Sequence, residues 1–282
     1  MPELPEVESI RLYLESQIIG KTILDIQVLE KKQFIGDIKK VIGKKITALL
    51  RKGKYLAIKL DNSYYLNIHL KMSGQFLYSK DNKHTKFPTI IPFTKSYQMP
   101  GSTTRIIINF TDQSTLFYND LRKFGYIKVS KIMEFPKSPD ILSSLFTKKY
   151  LIDLLRRSSR PIKITLLDQN KMAGIGNIYA NEALFYAKIH PLQPSKLLTH
   201  KQINKLFISI TTIINKAIKY RGSSASDEAF ILPNSSKGSY QKFLQVYDRE
   251  EKECYVCDST IKRIKHHGRS SYYCPICQKR AK

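Results

Sequence analysis

Long apolar runs, acidic residues and cysteines are all scarce in this 282-residue chain, and each scarcity excludes something. No apolar stretch approaches the ~18 residues that a membrane span requires, so no membrane role is expected. The opening segment is acidic and lacks an apolar core, which argues against a secretory signal and for a cytoplasmic protein. No internal repeat is visible. A hydrophobic content of 42% is ordinary for a soluble protein, and the length leaves room for two domains with separate cores.

The shortage of acid is the strongest compositional signal. Only 23 Asp and Glu stand against 48 Lys and Arg, a formal charge of +25. The excess runs along the whole chain, with dense patches at Lys31-Lys32, Lys39-Lys40, Lys44-Lys45 and Arg51-Lys52-Gly53-Lys54. Such proteins usually bind polyanions, because each phosphate contact releases condensed counterions. A lipid surface is the other polyanion, but no basic amphipathic helix or lipidation motif is present. Nucleic acid is the expected partner, which places the protein at the nucleoid. A lysine-rich surface without a partner is the competing explanation.

The four cysteines, Cys254, Cys257, Cys274 and Cys277, are spaced C-x₂-C-x₁₆-C-x₂-C. That is zinc-ribbon spacing, and two disulfides are disfavoured in a reducing compartment. Four thiolates complete a tetrahedral shell, so one structural zinc ion is expected, with no open position for activating water. His266 and His267 are surplus to that shell. They lie in the basic segment Lys262-Arg263-Ile264-Lys265-His266-His267-Gly268-Arg269, which suits phosphates.

The chain opens Met1-Pro2-Glu3-Leu4-Pro5-Glu6-Val7-Glu8. A small second residue permits removal of the initiator Met, which would leave Pro2 with a secondary amine. Such an amine can attack an aldehyde-level carbon and form an iminium, a covalent electron sink. An α-amino group titrates near ~8, well below the ~10.4 of lysine, and neighbouring cations lower it further. Glu3 and Glu6 supply carboxylates for proton transfer. The plainer alternative is a helix start, with Pro5 in the first turn and Glu favouring that end.

Val7, Ile10, Leu14 and Ile18 recur at helical spacing, and Gly20 marks the stop. From residue 22 to about 129 short β-type runs follow at 23–28, 44–50, 55–60, 64–68, 105–110, 115–118 and 126–129, a β-sandwich pattern. Residues 80–101 read as a long mobile loop. Pro136 and Pro139 mark a linker at 135–140. Helical periodicity then covers 141–157, 161–169, 178–188 and 199–220, with Thr199 as N-cap and Gly222 as stop. Residues 221–240, rich in Ser and Gly, read as a flexible loop. The expected division is 1–134 for a leading helix with the β-sandwich, 141–240 for a helical domain and 241–282 for the zinc module. The fold class is α+β and multidomain.

The joint occurrence of the Pro2-Glu3 start, a sandwich, the segment Ala173-Gly174-Ile175-Gly176-Asn177-Ile178-Tyr179 and a terminal Cys₄ ribbon resembles one family. It is the formamidopyrimidine-DNA glycosylase/endonuclease VIII family of base-excision repair enzymes, and Pro2 to Glu8 is closer to the formamidopyrimidine branch. The resemblance spans nearly the whole chain. It implies a bifunctional DNA glycosylase and AP lyase, acting as a monomer on double-stranded DNA that carries oxidised bases. It implies Pro2 as nucleophile at C1′, Glu3 as acid/base at the sugar ring oxygen and Glu6 as a supporting carboxylate at the lesion pocket. Lys54 and His69 match backbone-contacting positions. Met72, Arg122 and Phe124 match a trio that fills the space left by an extruded nucleotide. Asn177 lies in the turn of a helix-two-turn-helix element, Lys163 matches a basic position just upstream, and Arg269 matches the zinc-finger arginine that grips phosphates.

Departures from the family pattern are also legible. Leu121 and Lys123 stand where Pro and Arg are common, and Lys71 and Asp248 where Gly is usual. The lesion-capping loop near 222–239 keeps its small, polar opening but not the usual continuation, which leaves the preferred lesion open. Three alternatives remain: a same-fold enzyme for oxidised pyrimidines or abasic sites, a catalytically silent zinc-finger DNA-binding protein, and a general zinc-ribbon nucleic-acid reader, which would explain only the zinc module.

Overall fold

Leu4, Val7, Ile10, Leu14 and Ile18 line one face of the first helix, α1 (Leu4–Ile18), and all are buried. Its start is fixed by a capping box between Glu3 and Glu6, with Pro5 in the first turn. This computed structural model describes residues 2–81, 85–224 and 230–280. The chain forms two compact units, Met1–Phe135 with Tyr220–Gln241, and Pro136–Lys219 with Lys242–Lys282.

In the first unit α1 packs on a sandwich of two sheets. One has the order β1-β9-β10-β6, from β1 (Ile23–Val28), β6 (Gly74–Ser79), β9 (Thr104–Phe110) and β10 (Thr115–Asp120). The other has the order β2-β11-β5-β4-β3, from β2 (Phe34–Ile35), β3 (Ile46–Lys52), β4 (Tyr55–Leu60), β5 (Tyr65–His69) and β11 (Tyr126–Ser130). All pairings are antiparallel except β2 with β11. Alternation decides which way each residue points. Phe76, Tyr78, Ile106, Ile108, Leu116 and Tyr118 enter the core between the sheets.

Their alternates Leu77, Ile107 and Phe117 face the other way, into a second cluster with Phe87, Ile91 and Met99. Phe87 and Ile91 belong to β7 (Lys86–Ile91), which forms a hairpin with β8 (Ser96–Gln98), and Met99 follows directly, where the sequence reads as a mobile loop over 80–101. The hairpin's apolar side chains are too sparse to reveal a period, yet they cover the outer face of the β6-β10-β9 strands. Ile231 joins the same cluster. The stretch 221–240 is therefore no simple surface loop over its described part: Phe230, Ile231 and Leu232 are buried. Tyr220–Gln241 group with the sandwich, whereas the sequence division assigns 220–240 to the helical domain and 241 to the zinc module. Positions 225–229 of the expected capping loop lie outside the described residues.

The second unit holds α2 (Lys148–Arg156), α3 (Ile162–Leu167), α4 (Asn177–Tyr186) and α5 (His200–Lys219), followed by a hairpin of β12 (Lys262–His266) and β13 (Arg269–Tyr273). Ile203, Leu206, Ile210, Ile213, Ile214 and Ala217 form the buried stripe of α5. The last residues attach to α4 through Glu182. Its fully buried carboxylate accepts the backbone N–H groups of Gln245, Val246 and Tyr247 at 2.8–3.0 Å. Asn181 Oδ1 accepts the Tyr272 amide at 3.0 Å, and Gln278 Nε2 donates to the Ile189 carbonyl at 2.8 Å. The zinc module is thus hydrogen-bonded into the helical unit rather than tethered to it.

Candidate active site and nucleic-acid interface

Pro2 and Glu3 are both buried, Glu3 at 2% exposure, immediately before the first turn of α1. Glu6 Oε2 accepts the Glu3 amide at 2.9 Å, and Glu6 Oε1 accepts the Ser223 amide at 2.8 Å. One carboxylate therefore fixes both the backbone beside Pro2 and the opening of the 222–224 segment. Gly222 sits at φ +78, and a Cβ there would lie 2.8 Å from Glu6 Oε1. Ser223 Oγ is buried and has no partner among the described residues.

Glu8, about one turn into the helix, binds Arg11 and also Arg51 of β3, whose Nε lies 2.6 Å from Glu8 Oε2. Burial alone would raise the Glu8 carboxyl, but the Arg11 and Arg51 hydrogen bonds outweigh it and hold the group below the usual carboxylate range. Arg51 also donates to the Gly53 carbonyl at 3.2 Å. That anchors to α1 the tight turn Gly53-Lys54 between β3 and β4, with Gly53 at φ +58. Lys54 is 6% exposed in this turn. The first helix and the lysine hairpin are thereby one rigid piece.

His69 ends β5, with its ring edge-on to Tyr55 at 4.3 Å between centroids. Burial first, then the charges of Lys71 and Lys54, push its pKa down to about 3. The ring is neutral at physiological pH. Nδ1 accepts the Lys71 amide at 2.9 Å, so the proton sits on Nε2, and His69 can offer a phosphate one neutral donor. Lys71 holds φ +51, a left-handed conformation that glycine would adopt without strain.

Met72, 38% exposed, leads the turn into β6; Arg122 and the 59%-exposed Phe124 project from the turn between β10 and β11. Arg122 Nη1 lies 3.3 Å from Met72 Sδ, so the two loops present their side chains together. Exposed apolar groups beside a guanidinium are the chemistry a base-stack wedge requires.

In the second unit, the turn from α3 to α4 is stapled by Gln169. Its Nε2 donates to the carbonyls of Leu167 and Ile175, and its Oε1 accepts the Gly174 amide. Gly174 holds φ +122, Gly176 caps α4, and Asn177 is the first helical residue. Asn177 Oδ1 is buried without a partner among the described residues, at a helix start where amides and dipole favour an anion. Lys163 is enclosed. It is 1% exposed, and Nζ donates to the Ser270 carbonyl and, at 3.0 Å, to Ser271 Oγ. Its charge is directed at the β12–β13 hairpin, next to the exposed Arg269, and not at the surface. The tip of that hairpin is His267-Gly268, at φ +48 and +70, and the gathered ligand group holds neither His266 nor His267.

The sulfurs of Cys254, Cys257, Cys274 and Cys277 all lie within 4.8 Å of one another. Three of the separations are 4.0, 3.4 and 3.6 Å. Zn–S bonds of ~2.3 Å in a tetrahedron put sulfurs ~3.8 Å apart, so the cluster fits one zinc ion. Among the described residues no other group of His, Cys, Asp and Glu is gathered in this way.

Sequence reasoning passed over Glu8, Ser73, Asp120 and Ser223. Glu8 was readable only as a helix-surface acid. The other three become noticeable only when chain segments far apart in sequence are brought together.

These features define a class: two-unit DNA enzymes that join a sandwich opening on Pro2-Glu3 to a helix-two-turn-helix unit bearing a zinc finger. Family models agree along the chain. The formamidopyrimidine-DNA glycosylase N-terminal domain matches residues 1–127, its H2TH domain 138–229, and the zinc finger found in FPG and IleRS 251–280. The formamidopyrimidine-DNA glycosylase of Pelotomaculum thermopropionicum is 38% identical, with 99% of each chain covered. The crystal structure of MutM (Fpg) from Thermus thermophilus superimposes with a TM-score of 0.85 at 29% identity, covering 100% of both chains. That of Lactococcus lactis Fpg with Fapy-dG-containing DNA gives 0.82 at 31%, covering 99% of this chain and 100% of that one. The chain belongs to the formamidopyrimidine-DNA glycosylase family.

Proposed function

We propose that the mature chain begins at Pro2 and that its secondary amine carries the chemistry. The protein is a base-excision-repair DNA glycosylase for oxidised bases, in a family whose members are also AP lyases. Cys254, Cys257, Cys274 and Cys277 hold one structural zinc ion, which shapes the finger and takes no part in the reaction.

The Pro2 nitrogen attacks C1′ of the damaged nucleotide, and the glycosidic bond breaks as the base leaves with its electron pair. Glu3 delivers a proton to the ring oxygen, the sugar opens and the iminium forms. The iminium acidifies the C2′ proton. Its loss expels the 3′ phosphate by β-elimination, and a second loss expels the 5′ phosphate by δ-elimination. Glu6 holds the Glu3 backbone in place. Lys54 and His69 contact the backbone near the lesion, and Met72, Arg122 and Phe124 fill the vacated stack. Asn177 and Arg269 grip phosphates from the second unit, while Lys163 sets the finger strand. We infer a monomer acting on double-stranded DNA with damaged bases, formamidopyrimidines and 8-oxoguanine first. No helix of the described residues is long and apolar enough to cross a membrane.

The observation that carries this reading is the enclosure of Pro2 and Glu3 at a helix start fixed by Glu6. Mere DNA binding needs no such arrangement. The test is excision from duplexes carrying 8-oxoguanine, a formamidopyrimidine or an oxidised pyrimidine. Purine lesions should be released fastest, and Pro2→Gly and an added N-terminal tag should each abolish cleavage while leaving binding in place. Cleavage by the tagged protein would refute it.

A further inference from the structure

Beneath the exposed Met72, Arg122 and Phe124 lies an acid that no family role assigned above uses. Asp120, the last residue of β10, is 0% exposed. Its Oδ1 accepts from Ser73 Oγ and from the Arg122 amide at 3.2 Å, and its Oδ2 accepts from the Gly125 amide and Gln33 Nε2, both at 2.8 Å. Ser73 Oγ accepts the Arg122 amide in turn, at 2.9 Å. Gln33 Nε2 also reaches the Gly125 carbonyl at 2.9 Å. One carboxylate therefore ties the loop bearing Met72 to the turn bearing Arg122 and Phe124.

The packing around it leaves no slack. A Cβ at Gly125 would collide with Tyr118 Oη and lie 2.9 Å from the His69 carbonyl; one at Gly74 would lie 2.5 Å from the Leu70 carbonyl. Lys123 holds φ +57 within the turn. A turn in that conformation keeps its shape because its amides are occupied, and two of them are held by Asp120.

We propose that Asp120, acting through Ser73, is the positioning residue that locks both wedge loops into one preorganised unit. This rests on the reading of Met72, Arg122 and Phe124 as the trio that fills the stack. Base extrusion from a duplex needs the wedge seated, and a misplacement of ~1 Å costs on the order of a hundredfold. An abasic site in single-stranded DNA needs no wedge. Asparagine at 120 would turn an NH₂ group toward donors, opposing either Gly125 and Gln33 or Ser73 and Arg122.

The experiment compares wild type, Asp120→Asn, Ser73→Ala and Ser73→Thr under single turnover. One substrate is a duplex with 8-oxoguanine opposite cytosine, the other a single strand with an abasic site. Asp120→Asn should slow duplex excision by roughly tenfold to a hundredfold. Elimination on the single strand should stay within about twofold of wild type, because the wedge is idle there. Ser73→Ala should show the same split more weakly, and Ser73→Thr should restore the wild-type rate. Thermal melts establish that each variant is folded; should Asp120→Asn not fold, the Ser73 pair decides. Equal losses on both substrates, or unchanged duplex excision, would overturn the proposal. Unimpaired excision by Met72→Ala and Phe124→Ala would instead remove the wedge reading beneath it.

Discussion

His69 shows how much a single side chain can reveal about its surroundings. With its pKa at about 3 against an ordinary 6.5, it stays neutral in the folded protein while the unfolded chain takes up a proton. Between those values the unfolded state binds more protons, so stability falls as pH drops from 6.5 toward 3 and is fully present above 6.5. His69→Gln should flatten that part of the urea-midpoint profile; an unchanged slope would mean the ring is not the titrating group. Asp248 makes a different point. It holds φ +59 on an exposed turn, a left-handed conformation that glycine adopts without strain. Asp248→Gly should stabilise by about 1 kcal/mol in urea unfolding, the cost of a left-handed side chain. A loss of stability would mean the carboxylate contributes more than the backbone strain removes.

Among elements, the steepest dependence lies in the turn between β10 and β11. Gly125→Ala forces a methyl group against Tyr118 and the His69 carbonyl, and overpacking of this kind costs about 2 kcal/mol. A melt indistinguishable from wild type would show that the loops are looser than their contacts imply. How far such elements were legible in the sequence follows from their periods. The α5 stripe keeps a helical period, and α5, β1, β4 and β9 fall close to their expected limits. β6 is buried on both faces, as Phe76 and Tyr78 point inward and Leu77 outward, so no alternation is left to read. The β7–β8 hairpin hides behind prolines and polar residues. Lys163 reads only as a basic position upstream of the turn, because nothing local signals that Ser270 and Ser271 will enclose it. The cysteine spacing and the Pro2-Glu3 start are local in the chain and were readable; the Asp120 network joins Gln33 to Gly125, 92 residues apart, and was not.

For the whole molecule, charge and zinc set the behaviour. A formal charge of +25 predicts binding dominated by phosphate neutralisation, with affinity falling roughly 10³–10⁵-fold between 50 and 200 mM salt if six to ten phosphates are contacted. A nearly flat salt response would contradict a basic nucleic-acid surface. Removing zinc, by chelation or Cys274→Ser, should release the β12–β13 hairpin and Arg269 and weaken DNA binding by at least about tenfold. The sandwich has its own core, so its β-sheet circular dichroism should persist. Simultaneous collapse of both units would show that the zinc module supports more than its own fold.

Everything the enzyme does to DNA depends on which nitrogen becomes bonded to the sugar. Borohydride reduction during the reaction with lesion-containing DNA, followed by peptide mass spectrometry, identifies that nitrogen directly. The account predicts a nucleotide remnant on the N-terminal peptide at Pro2, with Met1 absent. A remnant on a lysine, Lys54 included, or an active protein that retains Met1, would contradict it.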